Sequence, residues 1–180
     1  MMKNTTFILL FTLLSVQSVW GQRSVAVSAQ NGFIRRYRVE QNTYSFGLAG
    51  RYRYGNRGVE IKLDYMQESY SKYQVEANTL HLSASYMYFP TFFVYFLIGA
   101  GVNFEEYTQA WERIPREYKN ETIGLILTGM GTRIPLADNL SLSLDVRYIM
   151  QDNDFEYLPL HKDFNYYYQL NLLISYTLFH

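Results

Sequence analysis

Residues 43–55, TYSFGLAGRYRYG, alternate two kinds of side chain. Tyr44, Phe46, Leu48, Gly50, Tyr52 and Tyr54 form an aromatic and apolar set. Ser45, Gly47, Ala49, Arg51 and Arg53 form a small, polar or basic one. A period of two is the mark of a strand with two unlike faces. The same alternation returns in 58–65, where Val59, Ile61, Leu63 and Tyr65 oppose Glu60, Lys62 and Asp64. It returns in 79–88, where Leu80, Leu82, Ala84, Tyr86 and Tyr88 oppose His81, Ser83 and Ser85. It is clear again in 140–150, with Asp145 and Arg147 on the polar face, and in 168–179. Segments 93–104 and 122–133 are weaker, with glycines in place of polar partners, and 23–30 makes a first strand.

The pattern predicts eight strands, at about 23–30, 43–54, 58–67, 78–88, 92–104, 121–133, 140–150 and 167–179. Their connections alternate in length. Segments 55–57, 89–91 and 135–139 are short, whereas 31–42, 68–77, 105–120 and 151–166 are long and polar. Alternation with short–long–short connection is the signature of a bacterial transmembrane barrel. The expected fold is therefore all-β, an eight-stranded antiparallel outer-membrane β-barrel with both termini in the periplasm.

A soluble barrel or sandwich would share the alternation with its sign reversed, the aromatic faces inward and the charges in water. The near-continuous apolar face, with tyrosines at its ends, favours the membrane reading. In lipid every backbone polar group must be paired within the protein, so only helices and closed barrels span. Eight strands leave a lumen that side chains fill. Arg51, Arg53, Glu60, Lys62, Asp64, Asp145 and Arg147 then face inward as a charge network, since a buried charge requires a partner. Arg53 and Glu60, on the two arms of one hairpin, are the expected first pair.

Composition narrows the picture. The chain of 180 residues holds 18 Tyr and 12 Phe but no cysteine. Disulfides, a lipidated N-terminal cysteine and thiolate chemistry are excluded. Lys3 followed by the apolar run 7–16 reads as a secretory signal over 1–21, too short for a membrane helix. The barrel domain is expected at 22–180. Losing Lys3 with the signal leaves a net charge of −1 from an otherwise balanced 16 basic and 16 acidic residues. Direct nucleic-acid binding, which wants a basic domain, is not expected.

Candidate chemistry is sparse. His81 and Ser83 share a strand face and have the residue types of a base and a nucleophile, although lumen residues satisfying each other explain them as well. His161 near Asp163, and His180, are too scattered for a metal site. Glu105, Glu106, Asp152 and Asp154 read as solvated loop carboxylates. The glycine pairs at 99–101 and 129–131 lie in strands with no helix behind them, so they mark close wall packing rather than phosphate loops. No cofactor, metal or catalytic residue is expected. Two segments mix arginine with aromatic residues, the types enriched at binding hot spots. They are FIRRYRVE (33–40), with Arg35, Arg36 and Tyr37, and YTQAWERIPREYK (107–119), with Trp111 and Arg113. Both are candidate partner-binding loops, although ordinary polar loops tethered to aromatic girdles explain them as well.

The stretch TYSFGLAGRYRYGNRGVEIKLDYMQESY (43–70) resembles a YSFG…GN…EYLQ-type segment of the TraO family of conjugative-transposon transfer proteins. FFVYFLIGAGVNFEEYTQAW (92–111) is similar to that family's FFLSLGG…AGYE strand with its loop tryptophan. The family's cysteine-bearing start after the signal is absent here. The resemblance implies a non-enzymatic outer-membrane component of a DNA-transfer apparatus, in contact with outer-membrane lipid and other apparatus proteins. The alternative, from the residues alone, is a free-standing small barrel of adhesin-like, membrane-stabilising or lipid-modifying type.

Overall fold

The computed structural model describes residues 23–36, 42–70, 75–107, 120–151 and 166–179. They form eight strands: β1 (Arg23–Arg36), β2 (Asn42–Tyr54), β3 (Arg57–Tyr70), β4 (Val75–Tyr88), β5 (Val94–Tyr107), β6 (Asn120–Pro135), β7 (Leu140–Gln151) and β8 (Tyr166–Phe179). Each pairs antiparallel with its sequence neighbours, and β1 pairs with β8 to close the barrel. One register shift, between Val25 and Ala26, interrupts the closing seam. Closure leaves no edge with unpaired backbone groups, the condition for a sheet to sit in hydrocarbon.

The connections visible at one end are tight, and that end is called the turn end below. Gly55 and Asn56 alone join β2 to β3, with Arg57 opposite Tyr54. Gly55 has φ of 59°, the left-handed value that two-residue hairpins require and glycine adopts freely. Residues 136–139 form the β6–β7 turn, where the Leu136 amide donates to the Leu140 carbonyl at 2.8 Å. In the β4–β5 turn the Thr91 hydroxyl accepts from the Val94 amide at 3.0 Å. The Phe89 amide donates to the Asn56 carbonyl at 2.8 Å and ties two turns together.

The alternation has the sign of a membrane barrel. Tyr44, Phe46, Leu48, Ile61, Leu82, Ile98, Ile126, Leu144, Leu172 and Ile174 are exposed on the outer face. Aromatic residues flank this apolar belt, with Tyr52, Tyr54, Tyr86, Tyr88 and Tyr176 toward the turn end and Tyr44, Phe46, Phe104 and Tyr168 toward the other. Such a belt between two girdles matches a bilayer in cross-section. Inside lie Glu60, Lys62, Asp64, His81, Asp145 and Arg147, all buried. The lumen also holds an apolar cluster that includes Ile34, Met66, Met87, Leu97, Leu127, Ile149 and Tyr167. A soluble core would have the opposite arrangement, so that reading is set aside.

Several strands outrun their expected bounds. β1 continues through Asn31 and Gly32 to Arg36, so Arg35 and Arg36 belong to a strand end rather than a loop. Arg35 pairs with Asn42 and Tyr168 across its two neighbours, and those backbone pairings hold the segment extended. Glu105 and Glu106 likewise lie in β5 rather than in a loop; Glu105 points inward and is buried opposite Glu121, while Glu106 is exposed. Tyr37, Trp111, Arg113, Asp152, Asp154, His161, Asp163, His180 and the signal at 1–21 lie outside the described residues.

The outward set is testable by depth. Leu144 sits near the middle of the belt, and Leu144→Arg should cost ~2–4 kcal/mol of folding free energy in lipid vesicles. Tyr54→Arg, at the rim, should cost about 1 kcal/mol or less. Urea titration of both variants in vesicles measures the difference; equal, wild-type-like stability would remove the lipid-facing assignment.

Candidate functional site

Arg147 on β7 is wholly buried and lies between two carboxylates on opposite walls of the lumen. Its Nε and Nη2 donate to Asp145 Oδ1 and Oδ2 at 3.0 and 2.9 Å. Its Nη1 and Nη2 donate to Glu60 Oε1 and Oε2 at 2.7 and 3.3 Å. The planar guanidinium thus forms a fork on both carboxylates, the geometry in which arginine pairs are strongest. Arg51 reinforces them. Its Nε donates to Glu60 Oε2 at 2.7 Å, and its Nη2 meets Asp145 Oδ2 at 3.4 Å. The Tyr95 hydroxyl donates to the same Asp145 oxygen at 2.9 Å, and Asn171 Nδ2 donates to Oδ1 at 2.7 Å.

Lys62 starts a second cluster toward the other end. Its Nζ lies 2.5 Å from Asp64 Oδ2 and donates to Gln169 Oε1 at 2.9 Å. Gln169 Nε2 donates to Ser45 Oγ at 2.9 Å and to Asp64 Oδ2 at 3.2 Å. The Gln30 side-chain amide bonds to Asp64 as well. Three cations, Arg51, Lys62 and Arg147, therefore meet three anions, Glu60, Asp64 and Asp145. The network is neutral. Neutrality matters because desolvating an unpaired ion costs several kcal/mol.

Glycines give this network its room. Gly129 and Gly131 on β6 lie opposite Arg147 and Asp145. A Cβ at Gly131 would come within 2.6 Å of both Asp145 Cβ and the Tyr95 hydroxyl oxygen. The 129–131 pair is close wall packing, as its place in a strand suggests.

His81, Ser83 and Asn103 form a third, smaller group. His81 Nδ1 faces Asn103 Oδ1 at 2.9 Å, so Nδ1 carries the proton. His81 Nε2 then accepts from the Ser83 hydroxyl at 3.0 Å. This has the connectivity of nucleophile, base and orienting amide. All three are at most 2% exposed, so the serine hydroxyl is out of reach of solvent, and the group serves here as a closed polar network.

Six of the seven charged residues expected in the lumen come together. Arg53 does not. The β2–β3 register places Arg51, not Arg53, opposite Glu60, and Arg53 faces Gly58. The two-residue turn fixes that register, and it leaves Arg53 at the turn-end mouth of the lumen. There its guanidinium carbon lies 4.3 Å from the Phe89 ring centre, and its Nε donates to the Gly55 carbonyl at 2.8 Å. Tyr95, Gln30, Gln169 and Asn171 escape a reading based on charge. Parity gives the signal for Tyr95, which shares its strand face with Gly99, Gly101 and Asn103.

No family model matches the sequence, and no curated protein matches it. Solved structures match the fold. Ail, the attachment invasion locus protein of Yersinia pestis, superposes with a TM-score of 0.56 at 15% identity, covering 88% of this chain and 99% of that one. OprG of Pseudomonas aeruginosa gives 0.52 at 12% identity, covering 89% and 98%. The N-terminal barrel domain of OprF from the same organism gives 0.51 at 18% identity, covering 87% and 98%. The chain thus shares the eight-stranded architecture of these outer-membrane barrels.

The network makes a quantitative distinction between two arginines. Arg147→Met leaves two buried carboxylates sharing Arg51 as their remaining cation and should destabilise the barrel by about 3–5 kcal/mol. Arg53→Met at the mouth breaks no ion pair and should cost about 1 kcal/mol or less. Urea midpoints in vesicles compare them; equal costs would contradict the placement of Arg147 at the centre.

Proposed function

We propose that this chain is a free-standing, non-enzymatic small barrel of a Gram-negative outer membrane that works by what it presents outside the cell, in adhesin-like attachment. The observation that carries the reading is the filled lumen. A neutral web of ion pairs and an apolar cluster occupy the interior where a channel or a substrate would have to lie. Chemistry and transport through the middle are then disfavoured, and function moves to the ends. Arg35 and Arg36 end β1 away from the tight turns, and in sequence Tyr37 follows them while Trp111 and Arg113 fall between β5 and β6. These side chains bury large area or hold planar partners, so they suit a binding surface. β1 begins and β8 ends at the turn end, the periplasmic one on this reading. Ail, similar in fold, is an attachment invasion locus protein by name.

A second reading, a component of a conjugative DNA-transfer apparatus with other apparatus proteins as partners, rests on the TraO resemblance of 43–70 and 92–111. One pair of strains separates them. Displayed in a non-adherent Gram-negative host, the protein should raise attachment to cell or matrix surfaces several-fold, and Trp111→Ala with Arg113→Ala should reduce that gain while heat-modifiable barrel migration stays normal. Deleting the gene in its own host should leave DNA-transfer frequency unchanged. Unchanged attachment together with a fall in transfer would overturn the proposal in favour of the apparatus.

A further inference from the structure

The six-residue ion-pair network inside the barrel is balanced, whereas the turn-end mouth carries unpaired positive charge among the described residues. Arg53 on β2 and Arg133 on β6 both point inward at that mouth and are only part-buried. Both guanidinium carbons lie 5.7 Å from the centre of one ring, Phe92, in the β4–β5 turn. Each is further pinned through Nε, Arg53 to the Gly55 carbonyl at 2.8 Å and Arg133 to Ser141 Oγ at 3.1 Å. The Arg133 backbone amide also donates to the Phe93 carbonyl at 2.7 Å, which fixes the turn against β6. Among the described residues neither guanidinium meets a carboxylate within 4 Å, whereas Arg51, one step deeper, is paired with two.

Two like charges thus share one aromatic ring, and each is fixed by a single Nε bond. Those contacts fix the planes of the guanidinium groups without neutralising them. Each group keeps Nη donors for a partner that the described residues do not supply. Two fixed, part-desolvated arginines at one mouth match a tetrahedral oxyanion, for which arginine gives paired hydrogen bonds as well as charge. Arg57 is close in sequence to the same rim but faces outward and is exposed, so it serves as a control. We propose that Arg53 and Arg133 form a phosphate-binding site in the turn-end mouth, taking the phosphate of a free anion or of a lipid head group. This site is independent of the attachment reading, which concerns the opposite end.

The test uses the full folded barrel in maltoside micelles, which carry no phosphate. Arginine Nε–H resonances are followed by NMR while inorganic phosphate, or dihexanoyl phosphatidylglycerol, is titrated against sodium chloride of equal ionic strength. Saturable shifts are expected at Arg53 and Arg133 and none at Arg57. Arg133→Gln should weaken binding about tenfold or more, the loss expected for a charged hydrogen-bond donor. Arg53→Gln should do the same, and serves if the first variant does not fold. A response to both probes assigns the site to the oxyanion itself, and a response to the lipid alone assigns it to a head group. The proposal is overturned by linear, chloride-like shifts with both probes, or by undiminished binding in the folded Gln variants.

Discussion

The fork of Arg147 on Glu60 and Asp145 is the contact around which the interior is arranged. Closing eight strands brings their inward faces into a space too narrow for bulk water. Any ion placed there must be met by a partner and by further hydrogen bonds, or its desolvation outweighs the attraction. Arg147 satisfies both carboxylates at once, and Arg51, Tyr95 and Asn171 take up the remaining oxygen valences. The glycines of β6 follow from this, because a side chain at Gly131 would occupy the volume taken by Tyr95 and Asp145.

The outside answers to the opposite constraint. Lipid hydrocarbon supplies no hydrogen bonds, so the outward faces carry Leu, Ile, Val and Phe, with tyrosine where the belt meets water. One strand can therefore hold Arg51 and Tyr52 side by side without conflict. The sheet is the boundary between an ion-paired interior and an apolar exterior, and the ordinary rule of hydrophobic inside, polar outside is inverted. The mouth, where Arg53 and Arg133 stack on Phe92, is where the interior rule relaxes.

Period-two alternation made the strand count and the antiparallel barrel legible in the sequence, and the near-continuous apolar face with tyrosines at its ends gave the sign of the faces. The alternation failed at strand ends. Asn31 and Gly32 read as the start of a long polar connection, yet β1 runs through them. Gln30 reaches Asp64 across the lumen. Gly32 is there because a Cβ would strike the side chains of Ser45, Asn171 and Gln169. A crowded lumen and a turn both ask for small or amide residues, and local pattern does not tell them apart. The charge network was legible as a set but not as pairs. Pairing depends on register, and register depends on whether the β2–β3 turn holds two residues or three. Arg57 belongs to β3 instead of the turn, and the resulting two-residue turn sets Glu60 opposite Arg51. Arg133, on the inward parity of Gly129 and Gly131, was open to the same parity argument.

The central claim is that this interior is a closed plug built around a neutral ion-pair network. Single-channel recording of the purified, folded barrel in a planar lipid bilayer tests it most directly. The account predicts a quiet baseline under applied voltage, because the ion-paired web and the apolar cluster leave no continuous water path. Discrete, reproducible conductance steps from the folded protein would contradict it.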